Sequence, residues 1–321
     1  MIDDLIIAIN KAESIAIISH INPDGDTCSS ALALFRAFAL IGKKPFVFCE
    51  NDIKETLLAI DGAENYNKGD DSTKFDLAIA CDCADISRLG KMNYLFSRAR
   101  VTANVDHHQT NSSFGNINIL ERGASATCEI IFKIIKEMDK QIAPCFDDII
   151  AKLLYTGIVT DSGGFTFSSV SSQTHAIASE LKKYNFDAAL ICEYFMKNIP
   201  MKKFLLKNIV LSNARFFEND TVGIIYFTQS AFEQTGTNED FTDGIINNIR
   251  NIDGVEVAIA ITELPSQNSF KVSIRTSDNV SASEIASIFG GGGHKNAAGC
   301  RLNGFYEDVK EKLLKATRDC I

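Results

Sequence analysis

Two of the chain's five histidines are adjacent, in Asn104-Val105-Asp106-His107-His108-Gln109-Thr110-Asn111. A third stands in His20-Ile21-Asn22-Pro23-Asp24-Gly25-Asp26, and lone aspartates close apolar runs at Asp82 and Asp161. Hard divalent cations are held by carboxylates and neutral imidazoles, so this inventory suits a metal site. His20, Asp24 and Asp26 offer three such groups on one short segment, and Asp82, His107 and Asp161 are expected to converge on them from neighbouring loops. Two cations about 3.5–4 Å apart need a bridging carboxylate and clamp both oxygens of an in-line phosphoryl displacement. Each residue alone says little, because a single Asp at a strand end is more often a turn or helix cap. Asp106 reads either as the carboxylate that orients His107 or as a loop cap. Neighbouring side chains at an extended strand end point in opposite directions, so one imidazole of the pair can face a metal while the other faces a bound group. His175, near the start of an amphipathic helix, reads as a boundary residue.

These groups need elements that end together. Residues 15–19, 45–49, 75–81 and 101–105 read as continuous apolar strands, and 2–14, 29–41, 125–138, 147–159 and 174–183 as helices. The alternation indicates an α/β fold layered around a mainly parallel sheet. Most of the candidates lie just past the carboxyl ends of strands, where open α/β sheets form ligand sites. Asp161 follows a helical run and is expected to be carried in on the loop 160–168. Residues 187–213 read as a helical connector interrupted at Pro200. Beyond it, strands at 222–227, 255–263 and 270–275 alternate with helices at 241–251, 281–289 and 306–317. The expected organisation is a metal-binding domain (1–186), the connector (187–213) and a smaller α/β substrate-binding domain (214–321).

Consecutive glycines let backbone N–H groups approach an anion closely. Gly290, Gly291, Gly292 and Gly293, followed by His294, are therefore expected to form such a cradle. Arg275, at the end of a strand, has the fork that matches a phosphate or carboxylate. Lys295 reads as solvated. Arg88, six residues after Asp82, reads equally as a cleft residue and as a solvated arginine.

At 321 residues the chain holds about two domains, at roughly 150 residues each. A net charge of −9 argues against tight binding of long duplex nucleic acid, but leaves room for a small anion or a short oligonucleotide. There is no Trp, so any base stacking must use Phe, Tyr or Arg. The nine cysteines include no Cys-x-x-Cys pair and read as reduced thiols of a cytoplasmic protein. The N-terminus lacks a signal-peptide pattern, and no apolar run approaches the ~20 residues of a membrane span.

The ordered set His20-x-Asn22-Pro23-Asp24-Gly25-Asp26, Asp82, Asp106-His107-His108 and Thr160-Asp161-Ser162-Gly163 resembles the DHH phosphoesterase superfamily. The tail Gly290-Gly291-Gly292-Gly293-His294-Lys295-Asn296-Ala297-Ala298-Gly299 resembles its companion DHHA1 domain. The two-domain layout is most similar to the oligoribonuclease/pAp phosphatase branch. The resemblance implies two divalent cations, Mn²⁺ first, with Mg²⁺ and Co²⁺ as alternatives. His20, Asp24 and Asp82 would hold one; Asp26, Asp82, His107 and Asp161 would hold the other, sharing Asp82. His108 would face the substrate phosphate, with Asp106 supporting the cluster from behind; Asp82, Asp106 and His108 are the expected catalytic residues. The implied substrates are short single-stranded RNA, trimmed to 5′-mononucleotides, and 3′-phosphoadenosine-5′-phosphate (pAp), converted to AMP. Dinucleotide phosphodiesterase, single-strand exonuclease and exopolyphosphatase activities are the alternatives within the superfamily. A homodimer through the metal-binding domain or the connector is expected. One departure stands out: Ser29-Ser30 occupies the place where the family usually has Gly-Ser. Cys28 beside it reads as a buried small thiol.

Overall fold

A computed structural model describes residues 2–67, 74–266 and 268–321. The chain divides into two compact units, Met1–Asn198 and Ile199–Ile321. In the first, strands β1 (Ser14–Ser19), β2 (Lys44–Phe48), β3 (Tyr66–Asn67), β4 (Leu77–Cys81), β5 (Val101–Asp106) and β6 (Ile117–Leu120) alternate with helices. These are α1 (Ile2–Lys11), α2 (Gly25–Leu40), α3 (Asn93–Arg98), α4 (Thr127–Gln141), α5 (Asp148–Asp161), α6 (Ser172–Leu181) and α7 (Ala188–Cys192). The sheet runs β3-β2-β1-β4-β5-β6, with every pair parallel.

The apolar runs of β1 and β4 are buried on both faces, as a covered parallel sheet requires. Ile15 and Ile17 pack with residues of α1, α2, α4 and α5, while Ala16 and Ile18 pack with Leu89, Met92, Leu95 and Phe96 on the other face. The strand order reverses between β1 and β4. That reversal leaves a crevice at the carboxyl ends, the usual ligand position of open α/β sheets.

Two of the boundaries that differ from the sequence reading concern site residues. Helix α2 starts at Gly25 rather than 29, because the Asp24 side chain accepts from the N–H groups of Asp26 and Thr27 and caps it there. Helix α5 runs through Asp161, so this aspartate sits on the helix's last turn and not on the loop 160–168. The chain leaves that helix through three successive residues with positive φ, Gly163, Gly164 and Phe165. Strand β6 escaped the sequence reading; it is short and only one of its residues, Ile119, is buried.

The second unit contains α8 (Met201–Ser212), β7 (Arg215–Phe217), β8 (Val222–Phe227), α9 (Gln229–Thr235), α10 (Asn247–Arg250), β9 (Val257–Glu263), β10 (Ser269–Thr276), α11 (Ala282–Ser287), β11 (Gly292–His294), β12 (Ala297–Asn303) and α12 (Tyr306–Arg318). Its sheet, β11-β12-β10-β9-β8-β7, is mixed: β8 and β9 are parallel and the other pairs antiparallel. One face packs against α11 and α12, the other against α8, α9 and α10. The helix expected over 241–251 is reduced to α10, because Gly244 takes φ +76° and breaks the run. Ile191 of α7 belongs to the first core and Leu206 and Val210 of α8 to the second, so the segment 187–213 is divided between the units. Among the described residues, no helix is long and apolar enough to cross a membrane.

Candidate metal centre

Strand register brings the first residues together. Ser19 of β1 pairs with Cys81 of β4, and Cys81 pairs with Val105 of β5. The next residues along the three strands, His20, Asp82 and Asp106, therefore stand side by side. Asp82 adopts φ +56°, a left-handed conformation that costs a non-glycine residue on the order of 1–3 kcal/mol and is concentrated at functional sites. Its N–H donates to Val105 O at 2.9 Å, which holds the turn. The Asp82 carboxylate is buried and faces both ways. Oδ2 accepts from Thr27 Oγ1 (2.6 Å) and lies 3.7 Å from His20 Nε2. Oδ1 accepts from Thr127 Oγ1 (2.9 Å) and lies 3.6 Å from His107 Nε2.

On one side, His20, Asp24 and Asp82 bring ligand-type atoms within 4.8 Å of one another. His20 Nδ1 lies 2.7 Å from Ile21 O and 3.1 Å from Arg88 Nη2. A carbonyl only accepts and a guanidinium only donates, so one nitrogen cannot serve both. The shorter contact fixes the proton on Nδ1 and leaves Nε2 with its lone pair towards the aspartates. The exposed Arg88 is then a close neighbour of the cluster.

On the other side, Asp26, His107 and Asp161 form a second group of the same compactness. The two Asp26 oxygens accept from Thr127 N (2.6 Å) and Cys128 N (3.0 Å), so Asp26 satisfies the first turn of α4, whose own N-cap residue is an alanine. A Cβ on Gly157 would lie 2.2 Å from Cys128 Sγ and 2.8 Å from Asp26 Oδ1, so only glycine lets α5 come this near. His107 donates from Nδ1 to Ala124 O (3.0 Å) and turns Nε2 to within 3.3 Å of Asp161 Oδ2.

The electrostatics report the crowding. Burial, then the charges of Asp82 and Asp161, push Asp26 well above the usual carboxylate range against the pull of His107. Asp161 is pushed up to about 7, first by burial and then by Asp82. Burial works to lower His107, but Asp82, Asp26 and Asp161 outweigh it and raise it to about 9. Carboxylates facing the inner imidazole nitrogens of His20 and His107, whose outer nitrogens are committed to carbonyls, are a donor set that fits hard divalent cations.

His108 and Asp106 form a separate pair. His108 donates from Nδ1 to Asp106 Oδ1 (2.7 Å), and Asp106 Oδ2 accepts from Asn111 Nδ2 (2.6 Å). Asp106 therefore orients His108, not His107. His108 also falls within ligand range of Asp82 and His107, but its nearer nitrogen, 3.7 Å from Asp82 Oδ1, is the one Asp106 holds. Burial opposes a high pKa for His108, while the Asp106 hydrogen bond and the Asp82 and Asp106 charges raise it. Burial would raise Asp106, but the His108 hydrogen bond and charge and Asn111 bring it down.

Thr27, Thr127 and Asn111 were not foreseen. A threonine in a helix's first turn or an asparagine after a strand looks like an ordinary cap, and nothing in the spacing marks it out. Ser29 is wholly buried, and its hydroxyl finds no hydrogen-bond partner among the described residues. Burial also pushes the neighbouring Cys28 thiol far up, which makes it inert. His175 is exposed and stacks on Phe165, a surface position.

In the second unit, Arg275 is half-buried on β10 and donates from Nη1 to Ile274 O (3.1 Å). Burial lowers its pKa against the attraction of Asp243. Gly291 leads into β11, where Gly292, Gly293 and His294 pair with β12 at the sheet edge. Gly293 has φ +147°, and a Cβ there would lie 2.5 Å from Ala297 O, so strand pairing itself demands this glycine. Gly292 meets neither restriction. His294 and Lys295 are exposed.

Residues 14–158 match the DHH family, N-terminal domain, and residues 221–321 match the DHHA1 domain. The bifunctional oligoribonuclease and PAP phosphatase NrnA of Thermus thermophilus is 30% identical over 309 residues, covering 95% of this chain and 89% of its own length. The chain belongs to the DHH phosphoesterase family. The resemblance read from the motifs is borne out across both domains. A probable NrnA of Streptococcus mutans is 27% identical, with 95% of each chain covered. An exopolyphosphatase-related protein from Bacteroides fragilis shares the fold, with TM-score 0.92 at 24% identity over 99% of this chain and 95% of that one.

Proposed function

We propose that this DHH phosphoesterase uses two divalent cations, Mn²⁺ foremost, to hydrolyse short oligoribonucleotides to 5′-mononucleotides and to convert pAp to AMP. The observation that carries the metal reading is Asp82, whose two oxygens face the two ligand groups separately. His20, Asp24 and Asp82 would hold one ion, and Asp26, Asp82, His107 and Asp161 the other. Bound there, divalent ions would neutralise charge on the phosphoryl oxygens and lower the pKa of the attacking water. The protein's own contribution is placement. Thr27 and Thr127 fix both oxygens of Asp82, Ile21 and Ala124 set the two histidine tautomers, and the N-terminus of α4 aims Asp26. Asp106 lies outside both groups, so its hold on His108 persists on loading and keeps that imidazole aligned to donate to a phosphoryl oxygen.

We assign Arg88, beside His20, and Arg275, Gly291, Gly292, Gly293 and His294 of the DHHA1 unit to substrate binding. The nucleotide reading is supported by the Thermus and Streptococcus relatives, named as a bifunctional oligoribonuclease and PAP phosphatase and a probable one, which align over most of the chain. The test is a substrate panel in Mn²⁺: pAp, a 5′-phosphorylated dinucleotide, a long single-stranded RNA, cyclic dinucleotide and polyphosphate. Fast turnover of pAp and the dinucleotide with little on the long strand supports the proposal. Turnover of polyphosphate alone would overturn the nucleotide assignment.

A further inference from the structure

Two asparagines stand behind the Asp106–His108 pair. Asn104 is wholly buried on β5, and Asn111, in the loop that follows it, is also buried. A buried side-chain amide is costly unless its atoms are paired, so the destination of each atom is informative. The Ser113 N–H donates to Asn111 Oδ1 at 2.7 Å, which settles which end of that amide is oxygen. Asn111 Nδ2 then faces Asp106 Oδ2 at 2.6 Å, Asn104 Oδ1 at 2.8 Å and Cys83 O at 3.1 Å. An amide NH₂ has two hydrogens, and the two shorter contacts take them. Cys83 O is served instead by Asn104 Nδ2, also at 3.1 Å. Donors and acceptors therefore balance in one row, from Cys83, the residue after Asp82, through Asn104 and Asn111 to Asp106. His108 Nδ1 donates to the other Asp106 oxygen at 2.7 Å. With a donor on each oxygen, the Asp106 carboxylate cannot turn about χ2 without losing one. The loop itself is pinned by the Ser112 N–H on Ala84 O at 3.0 Å, and Ser113 takes φ +56°, a strained conformation of the kind concentrated at functional sites.

We propose that Asn111, backed by Asn104, is a positioning residue of the reaction. It holds the Asp106 carboxylate in the plane that aims His108 at the substrate, and it ties that pair to the turn that carries Asp82. This rests on the reading that His108 faces the substrate phosphate. Asn111 touches neither ligand group; its Nδ2 reaches the reaction only through Asp106 and His108. Its bond to the buried Asp106 carboxylate is charge-assisted, the stronger kind. Without it, Asp106 Oδ2 loses this donor, and the imidazole loses the rigid partner that fixes its angle.

The test is a double-mutant cycle of Asn111→Ala and His108→Ala, with kcat and KM for pAp and the Mn²⁺ content read on each protein. In the wild-type background, Asn111→Ala should lose about 10–100-fold in kcat, with KM and Mn²⁺ content unchanged. In the His108→Ala background it should cost no further activity, because it acts through that imidazole. A purely structural asparagine would lower kcat in both backgrounds or shed metal by displacing His107, and either result would overturn the inference. An unchanged kcat in Asn111→Ala would overturn it too. If Asn111→Ala does not fold, Asn111→Ser, whose shorter side chain withdraws the donor from Asp106, takes its place in the same cycle. His108→Ala that turns over like wild type would instead refute the reading of His108 on which the inference rests.

Discussion

The metal centre and the glycine-rich edge of the DHHA1 unit were both marked by short motifs, yet they are built in opposite ways. In the centre, side chains do the work and each is held by a partner. Asp82 has a threonine on each oxygen, His20 and His107 each have a carbonyl behind the ring, and Asp26 has two backbone amides. At the sheet edge the motif is largely backbone. Gly293 is there because β11 runs too close to β12 for a side chain, whereas Gly292 faces open space. Groups that carry chemistry must be fixed before substrate arrives. A strand edge can leave N–H groups exposed and contribute to binding alone.

The sharpest way to break this contrast is Asp82→Ala. Losing the residue that faces both ligand groups should cut kcat in Mn²⁺ by more than the 10–100-fold typical of a residue that only orients a ligand. Near wild-type turnover would sink the shared-ligand arrangement. His108→Ala should keep its metal content and lose about 10²–10⁴-fold in kcat, the usual range for a group that transfers or donates a proton. Loss of metal instead would make His108 a ligand and leave Asp106 holding the wrong histidine for the mechanism.

The pH dependence of metal uptake comes next. A ligand must be free of its proton, and in the metal-free protein Asp161 titrates at about 7 and His107 at about 9. Below pH 7 both carry protons that the cation must displace. Mn²⁺ affinity should therefore rise steadily from pH 6 to pH 9, with protons released on binding, as titration calorimetry in buffers of different ionisation enthalpy would show. An affinity flat over that range would mean these two groups are not ligands.

At the sheet edge the expected effects are smaller and separable. Gly293→Ala should destabilise the DHHA1 unit by about 1–3 kcal/mol in denaturant unfolding, through the contact with Ala297 O. Gly292→Ala should leave stability alone and raise KM for short oligonucleotides several-fold. An unchanged KM would make the glycine run purely structural. Arg275→Ala is expected to have the mildest effect, a modest rise in KM.

Much of the first unit was legible because its signals are local. Continuous apolar runs gave β1, β4 and β5, and polar residues directly after them gave His20, Asp82 and Asp106. What the sequence left obscure depends on contacts across the fold. The start of α2 turned on whether Asp24 spends an oxygen capping it, and the place of Asp161 on how far α5 continues before Gly163. The partner of Asp106 could not be read from adjacency, since His107 is nearer in sequence while His108 is nearer in space. Thr27 and Thr127 are visible only once three helices and the sheet converge. In the second unit, β12 contains Arg301 and Asn303 among small residues and lacks a strand's apolar pattern; it is held by pairing with β10 and β11.

In the proposed arrangement one buried carboxylate, Asp82, joins two cation sites. Electron paramagnetic resonance of the Mn²⁺-loaded protein, with the metal content counted on the same sample, addresses it directly. The proposed two-cation arrangement predicts two Mn²⁺ per chain with a spin-coupled signal that Asp82→Ala abolishes. A single uncoupled Mn²⁺ in the wild-type protein would contradict it.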